Sequence, residues 1–148
     1  MRRGIGKDRR PQSSPLDEVR PAVGGYILVV DDDADHRCLL AETIALMGYQ
    51  TEQAENGRAA LDRLEEALPR LVLLDLKMPV MSGWAVLEAL QQMPHAASIP
   101  VLVISAYGFE WEAELIGAAG YVSKPVDLDA LRQKIEALIG GPAPALLH

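Results

Sequence analysis

Three apolar runs and one shorter stretch each end at a residue able to bind a cation or a phosphate. Tyr26-Ile27-Leu28-Val29-Val30 leads into Asp31, Asp32 and Asp33, Leu71-Val72-Leu73-Leu74 into Asp75, Val101-Leu102-Val103-Ile104 into Ser105, and Tyr121-Val122-Ser123 into Lys124. Carboxylates gathered at one edge repel by roughly 1–4 kcal/mol per pair near 4 Å, so a cation must compensate. Oxygen donors without a His or Cys cluster favour a hard ion, and Mg²⁺, which keeps several waters and takes one or two carboxylates, fits best. Lys124 adds a fixed positive charge. A carboxylate beside a metal and a lysine can attack phosphorus and form an aspartyl phosphate, the cations neutralising the equatorial oxygens.

The elements that must position these residues alternate. The continuous apolar, β-branched run at 26–30 reads as a strand buried on both faces. A helix follows, with Leu39, Leu40, Thr43, Ile44 and Met47 at helical spacing and Gly48 placed to end it. Tyr49 to Ala54 is a more polar, edge-type strand; Asn56 then caps a helix whose inner face is Ala60, Leu61, Leu64 and Leu68, closed by Pro69. After Asp75 a loop through Pro79 leads to a helix from Ser82 bearing Val86, Leu87 and Leu90. Beyond Ser105, a shorter helical stretch from about Glu110 to Ala118 precedes Tyr121-Val122-Ser123, and Leu128, Leu131, Ile135 and Leu138 form the stripe of a last helix. Five strands alternating with five helices predict an α/β, doubly wound parallel sheet covered on both faces. Ligands of such sheets lie beyond the carboxyl ends of the strands, where Asp31, Asp32, Asp75, Ser105 and Lys124 all fall.

Composition narrows the function. With 148 residues, 49% of them hydrophobic, the chain is the length of one domain with a real core. Residues 1–24 mix basic charge with Pro and Gly and are expected to be a disordered extension; 25–140 is the domain, and 141–148 a flexible tail. Past residue 25 the chain is acidic and the net charge is −7, which disfavours direct binding of nucleic acid or anionic membrane. Lone Cys38, the lack of a membrane-length apolar run and the lack of a signal-peptide pattern predict a cytoplasmic protein. Too few residues follow Gly141 for an output domain, so the signal is expected to pass through a protein contact.

Residues 26–139 resemble a response-regulator receiver domain of bacterial two-component systems. The resemblance rests on Val29-Val30-Asp31-Asp32-Asp33, on Leu74-Asp75-Leu76-Lys77-Met78-Pro79-Val80-Met81-Ser82-Gly83, on Ile104-Ser105-Ala106, and on Gly120-Tyr121-Val122-Ser123-Lys124-Pro125. It implies a flavodoxin-like sheet of order 2-1-3-4-5 and a single-domain regulator, similar to the chemotaxis regulator, that takes a phosphoryl group from a sensor histidine kinase or histidine phosphotransfer protein. Asp75 would be the phosphoacceptor and a metal ligand. Asp32 would bind Mg²⁺ directly, Asp31 through a water, and Lys77 through its backbone carbonyl. Ser105, the Ala106 amide and Lys124 would contact the phosphoryl oxygens; Ser105 and Tyr121 would form the switch that remodels the surface for a downstream target or relay. The family's Lys-Pro bond is usually cis, which carries over to Lys124-Pro125.

Plainer readings stand beside these. Asp33 and Asp35 serve the start of the first helix; Tyr121 is either the switch or a packed ring; Trp84 and Trp111 are packing groups or surface anchors; His36 and His95 are isolated and solvent-facing. Asp75-Leu76-Lys77 lacks the second aspartate of a haloacid-dehalogenase-like phosphatase, Met81-Ser82-Gly83-Trp84 is not a nucleophile elbow, and no glycine-rich phosphate loop follows the first strand. Ser105 replaces the family's commoner threonine, Ser82 its common loop aspartate, and Val126 an aromatic. The segment between Ser105 and Tyr121 is about three residues shorter than the family pattern, close to one helical turn, which shortens the fourth helix and makes a monomer the expectation, with a dimer the alternative. The rival function is a pseudo-receiver, an interaction module that works without phosphorylation.

Overall fold

The computed structural model describes residues 25–76, 82–105 and 117–141. The extension 1–24, Lys77, Ala106, Trp111, the expected helix as far as residue 116 and all but Gly141 of the tail lie outside the described residues; Gly117 and Ala118, expected to end that helix, are not helical. The elements are β1 (Ile27–Val30), α1 (Ala34–Leu46), β2 (Thr51–Ala54), α2 (Gly57–Glu66), β3 (Leu71–Asp75), α3 (Gly83–Gln92), β4 (Val101–Ser105), β5 (Gly120–Ser123) and α4 (Leu128–Ile139). The strands form one parallel sheet in the order β2-β1-β3-β4-β5, as expected.

Alternation along the inner strands builds two cores. Leu28, Val30, Val72, Leu74, Val101 and Val103 face α2 and α3, where they meet Ala60, Leu64, Val86, Leu87 and Leu90. Ile27, Val29, Leu71, Leu73, Leu102 and Ile104 face α1 and α4, against Leu40, Ala41, Ile44, Leu131 and Ile135. Every one of these strand residues is 4% exposed or less, which is why the strands read as unbroken apolar runs. β2, on the edge, is buried only at Ala54.

Helix ends follow the expected chemistry. Asn56 accepts a hydrogen bond from the Ala59 amide at 2.8 Å and so caps α2. Asn56→Ala is expected to lower stability by about 1 kcal/mol, read as a lower urea midpoint with an unchanged slope. Gly48, just past α1, has φ +108°, a left-handed conformation suited to glycine at a helix end. At its C-terminal end α4 is fastened from outside. The Arg70 guanidinium donates to the Ile139 carbonyl at 2.6 Å and the Tyr49 hydroxyl to the Gly140 carbonyl at 2.8 Å.

Three details differ from expectation. β2 begins at Thr51, and Tyr49 is instead a buried ring beside α1. Leu39, assigned to the inner face of α1, is 59% exposed, while Ala41 takes an inner place. With Leu40, Ala41 and Ile44 inside, Leu39 lies roughly 145° round the helix from the centre of that arc at 3.6 residues per turn. Leu128, placed in the stripe of the last helix, is 46% exposed because it occupies the first position of α4, at the rim of the core.

Candidate functional site

Strand parity and register deliver the polar residues to one edge. Val30 pairs with Leu74, so Asp31 and Asp75, one step further, are neighbours that continue the face of Val29 and Leu73. Asp75 pairs with Ile104 and Ser105 with Ser123, which brings Lys124 to the same edge. One oxygen each from Asp31, Asp32 and Asp75 lie within 4.8 Å of one another. Asp31 is 1% exposed and Asp75 4%, whereas Asp32 is exposed.

Each buried carboxylate has a partner from another element. The Lys124 ammonium stands 3.4 Å from Asp75 Oδ2. Lys124-Pro125 is cis, and the Lys124 amide donates to the Ser105 carbonyl at 2.8 Å, tying the lysine's backbone to the end of β4. Asp31 Oδ1 accepts the Asp33 amide at 2.9 Å, and Asp31 Oδ2 lies 2.5 Å from His36 Nδ1. Arg37 donates to the Asp31 carbonyl at 2.8 Å and to Gln53 Oε1 at 3.0 Å, linking the end of β1 to β2. Asp33 caps α1 by accepting the amides of Asp35 and His36, and Asp35 lies in the first turn, as expected for the positive end of a helix.

His36 corrects the expectation that it is isolated and solvent-facing: its side chain is 26% exposed and rests on Asp31. Spacing alone hides this contact, since the two residues are five apart and separated by a strand end and a cap. A signal was present. With Asp33 as N-cap, His36 is the third helical residue, the position whose side chain folds back toward the cap in a capping box.

The Ser105 hydroxyl is buried and, among the described residues, is the buried side-chain oxygen with no hydrogen-bond partner. An unsatisfied buried hydroxyl costs about 1–3 kcal/mol. Tyr121 is half-buried, packs on the α2/α3 core, and places its hydroxyl 3.5 Å from the Ser105 carbonyl oxygen. Behind Asp75, the Gly83 amide donates to the Leu76 carbonyl at 3.0 Å, and the Ser82 hydroxyl accepts the Ala85 amide at 3.2 Å to cap α3. Burial pushes the Tyr26 and Tyr49 hydroxyls above their ordinary value, nearby glutamates adding to it. Both precede strands, at the opposite end of the sheet from this site.

The trio suits a small hard cation. Two oxygens across Mg²⁺ stand roughly 4 Å apart, so three carboxylates within 4.8 Å span one hydrated ion. The donors are all oxygens, and an uncompensated set would repel by roughly 1–3 kcal/mol per pair at this spacing.

Comparison with known proteins gives the family of this fold. The model of the response regulator receiver domain matches residues 27–136. The chain is 39% identical over 113 residues to sporulation initiation phosphotransferase F of Bacillus subtilis, covering 74% of this chain and 90% of that protein. It is 41% identical over 109 residues to regulatory protein AtoC of Escherichia coli, covering 71% of this chain but only 23% of that longer relative. The solved structure of chemotaxis protein CheY4 of Vibrio cholerae superposes with TM-score 0.73 at 26% identity, covering 77% of this chain and 98% of that one. Sheet order, polar edge and these relatives together place the chain in the response regulator receiver domain family.

Proposed function

We propose that Asp75 accepts a phosphoryl group from a phosphohistidine on a sensor kinase or phosphotransfer protein, in a Mg²⁺-dependent reaction. The observation that carries this reading is a buried carboxylate held 3.4 Å from a lysine and grouped with two further aspartates. An Asp75 oxygen attacks phosphorus, the bond from phosphorus to the donor imidazole breaks, and the imidazole leaves with the electron pair, giving an acyl phosphate. Asp31, Asp32 and Asp75 would hold the cation, with the Lys77 carbonyl in the role the resemblance gives it. Bound Mg²⁺ supplies charge neutralisation to the phosphoryl oxygens. Lys124 turns its ammonium from Asp75 to a phosphoryl oxygen, and the unpartnered Ser105 hydroxyl donates to another, beside the Ala106 amide. The burial of Ser105 supports this, since a phosphoryl oxygen would satisfy a group that otherwise costs stability.

As Ser105 moves toward the phosphoryl group, the Tyr121 ring turns inward and alters the surface beside β4 and β5. That surface is then read by a target protein, or Asp75 passes the group to a second histidine. In either case the chain is an acceptor that slowly hydrolyses its own acyl phosphate rather than a turnover enzyme. The name of the Bacillus subtilis relative, a phosphotransferase, supports a transfer role.

The test is incubation of the full chain with acetyl phosphate, with Mg²⁺ or with EDTA, followed by mass spectrometry. One phosphoryl group, stable in acid and lost in base, is expected on the peptide containing Asp75 with Mg²⁺ alone. An adduct that forms equally in EDTA, or none in either buffer, would sink the proposal.

A further inference from the structure

We infer that His36 is a positioning residue for the metal site: its Nδ1–H holds the Asp31 carboxylate facing Asp32 and Asp75, and so sets how tightly the trio binds a divalent cation. The inference rests on the phosphoacceptor reading above. A carboxylate only accepts, so the nitrogen 2.5 Å from Asp31 Oδ2 carries the proton, and the bond is the short, charge-assisted kind. At 1% exposure, Asp31 has little water to orient it. Its other oxygen is held by the Asp33 amide and its backbone carbonyl by Arg37. His36 therefore closes the last rotational freedom of the group.

The ring is itself held in place. Its own backbone amide donates to Asp33 Oδ1 at 3.2 Å, so the cap that starts α1 also fixes where the imidazole begins. The two buried carboxylates of the trio are thus steadied from two different elements, Asp75 by Lys124 after β5 and Asp31 by His36 in α1. A lysine on the acceptor must yield to the phosphoryl group, whereas a histidine on Asp31 has no such competitor and can stay. Partners that orient a metal ligand typically contribute ten- to a hundredfold to metal affinity.

The test compares full-length wild type, His36→Leu and His36→Asn, each titrated with MgCl₂ while the melting temperature is followed. The asparagine amide can donate near the place of Nδ1; leucine cannot. His36→Leu is expected to raise the apparent Mg²⁺ Kd about tenfold, and His36→Asn to stay within about threefold of wild type. In the wild-type proton NMR spectrum, a strongly deshielded Nδ1–H resonance should move as Mg²⁺ is added. Wild-type affinity in His36→Leu, equal weakening in both variants, or an Nδ1–H resonance indifferent to Mg²⁺ would each overturn the inference. That last readout needs no variant to fold. A wild type whose melting and spectrum both ignore Mg²⁺ would instead remove the metal-site reading on which the inference stands.

Discussion

Asp75→Asn is expected to form no acyl phosphate with acetyl phosphate and, in metal-free buffer, to melt higher than the wild type. The first effect follows from chemistry: a neutral amide is a poor nucleophile, and no other residue of the trio combines burial with a lysine partner. The second follows from charge. Asp75 shares a 4.8 Å cluster with Asp31 and Asp32, each pair costing roughly 1–3 kcal/mol without a cation. Among the described residues, removing its charge relieves two repulsions and gives up the attraction to a Lys124 side chain that is 36% exposed and therefore partly screened. A net gain of about 1 kcal/mol is expected, or roughly 4 °C in a domain of this size. Saturating Mg²⁺ should reverse the order, because only the wild type keeps all three anionic carboxylate ligands and gains their full binding energy on the folded side. Calorimetry in EDTA and in Mg²⁺ checks both halves. A variant that melts lower than wild type in EDTA would mean that the lysine contact outweighs the crowding of carboxylates.

The second large effect is structural. A Cβ on Gly83 would stand 2.5 Å from the Asp75 carbonyl oxygen and 2.6 Å from the Leu76 Cα, both backbone atoms with no side-chain freedom to retreat. The same glycine opens α3, and its amide is spoken for by the Leu76 carbonyl, so neither the helix start nor the end of β3 can move without losing that bond. Gly83→Ala should therefore cost about 3 kcal/mol, at the upper end of overpacking penalties, and lower the melting temperature by roughly 10 °C. A variant melting within about 2 °C of wild type would show that the approach is relieved by a small backbone shift. Asp75→Asn and Gly83→Ala act on adjacent backbone, one raising and one lowering stability, so combining them should give a non-additive result.

The sheet was legible because its inner strands are buried on both faces, which leaves continuous apolar runs with polar residues directly after them. The placing of Asp31, Asp75 and Lys124 at one edge followed from that pattern. What the pattern does not carry is which side of a mixed helix turns inward. α1 holds Leu39, Leu40, Ile44 and Leu46, and Leu39 and Leu46 are exposed at 59% and 89%; apolar residues on both sides leave the inner face undetermined until the strands beneath it are in place. The contact between His36 and Asp31 was missed for a related reason. It depends on the angle at which the chain leaves β1 and enters α1, a property of the Asp33 cap rather than of residue spacing. Gly83 was visible as part of a motif, but its need for a bare Cα comes from a backbone approach across seven residues that no periodicity encodes.

The two bonds from Arg70 and Tyr49 to the last carbonyls of α4 give that helix a fulcrum. Its twelve residues extend about 18 Å from the anchored end at Ile139 to Leu128. The opposite end is started by Asp127, whose carboxylate binds amides of α4 itself and so travels with it. A rod pivoting at one end converts angle into distance: a tilt of about 5° would carry the Leu128 end roughly 1.5 Å over that length. Lys124 lies just before that end, so any pull on its backbone would act at the long arm, where the least force would produce the most rotation.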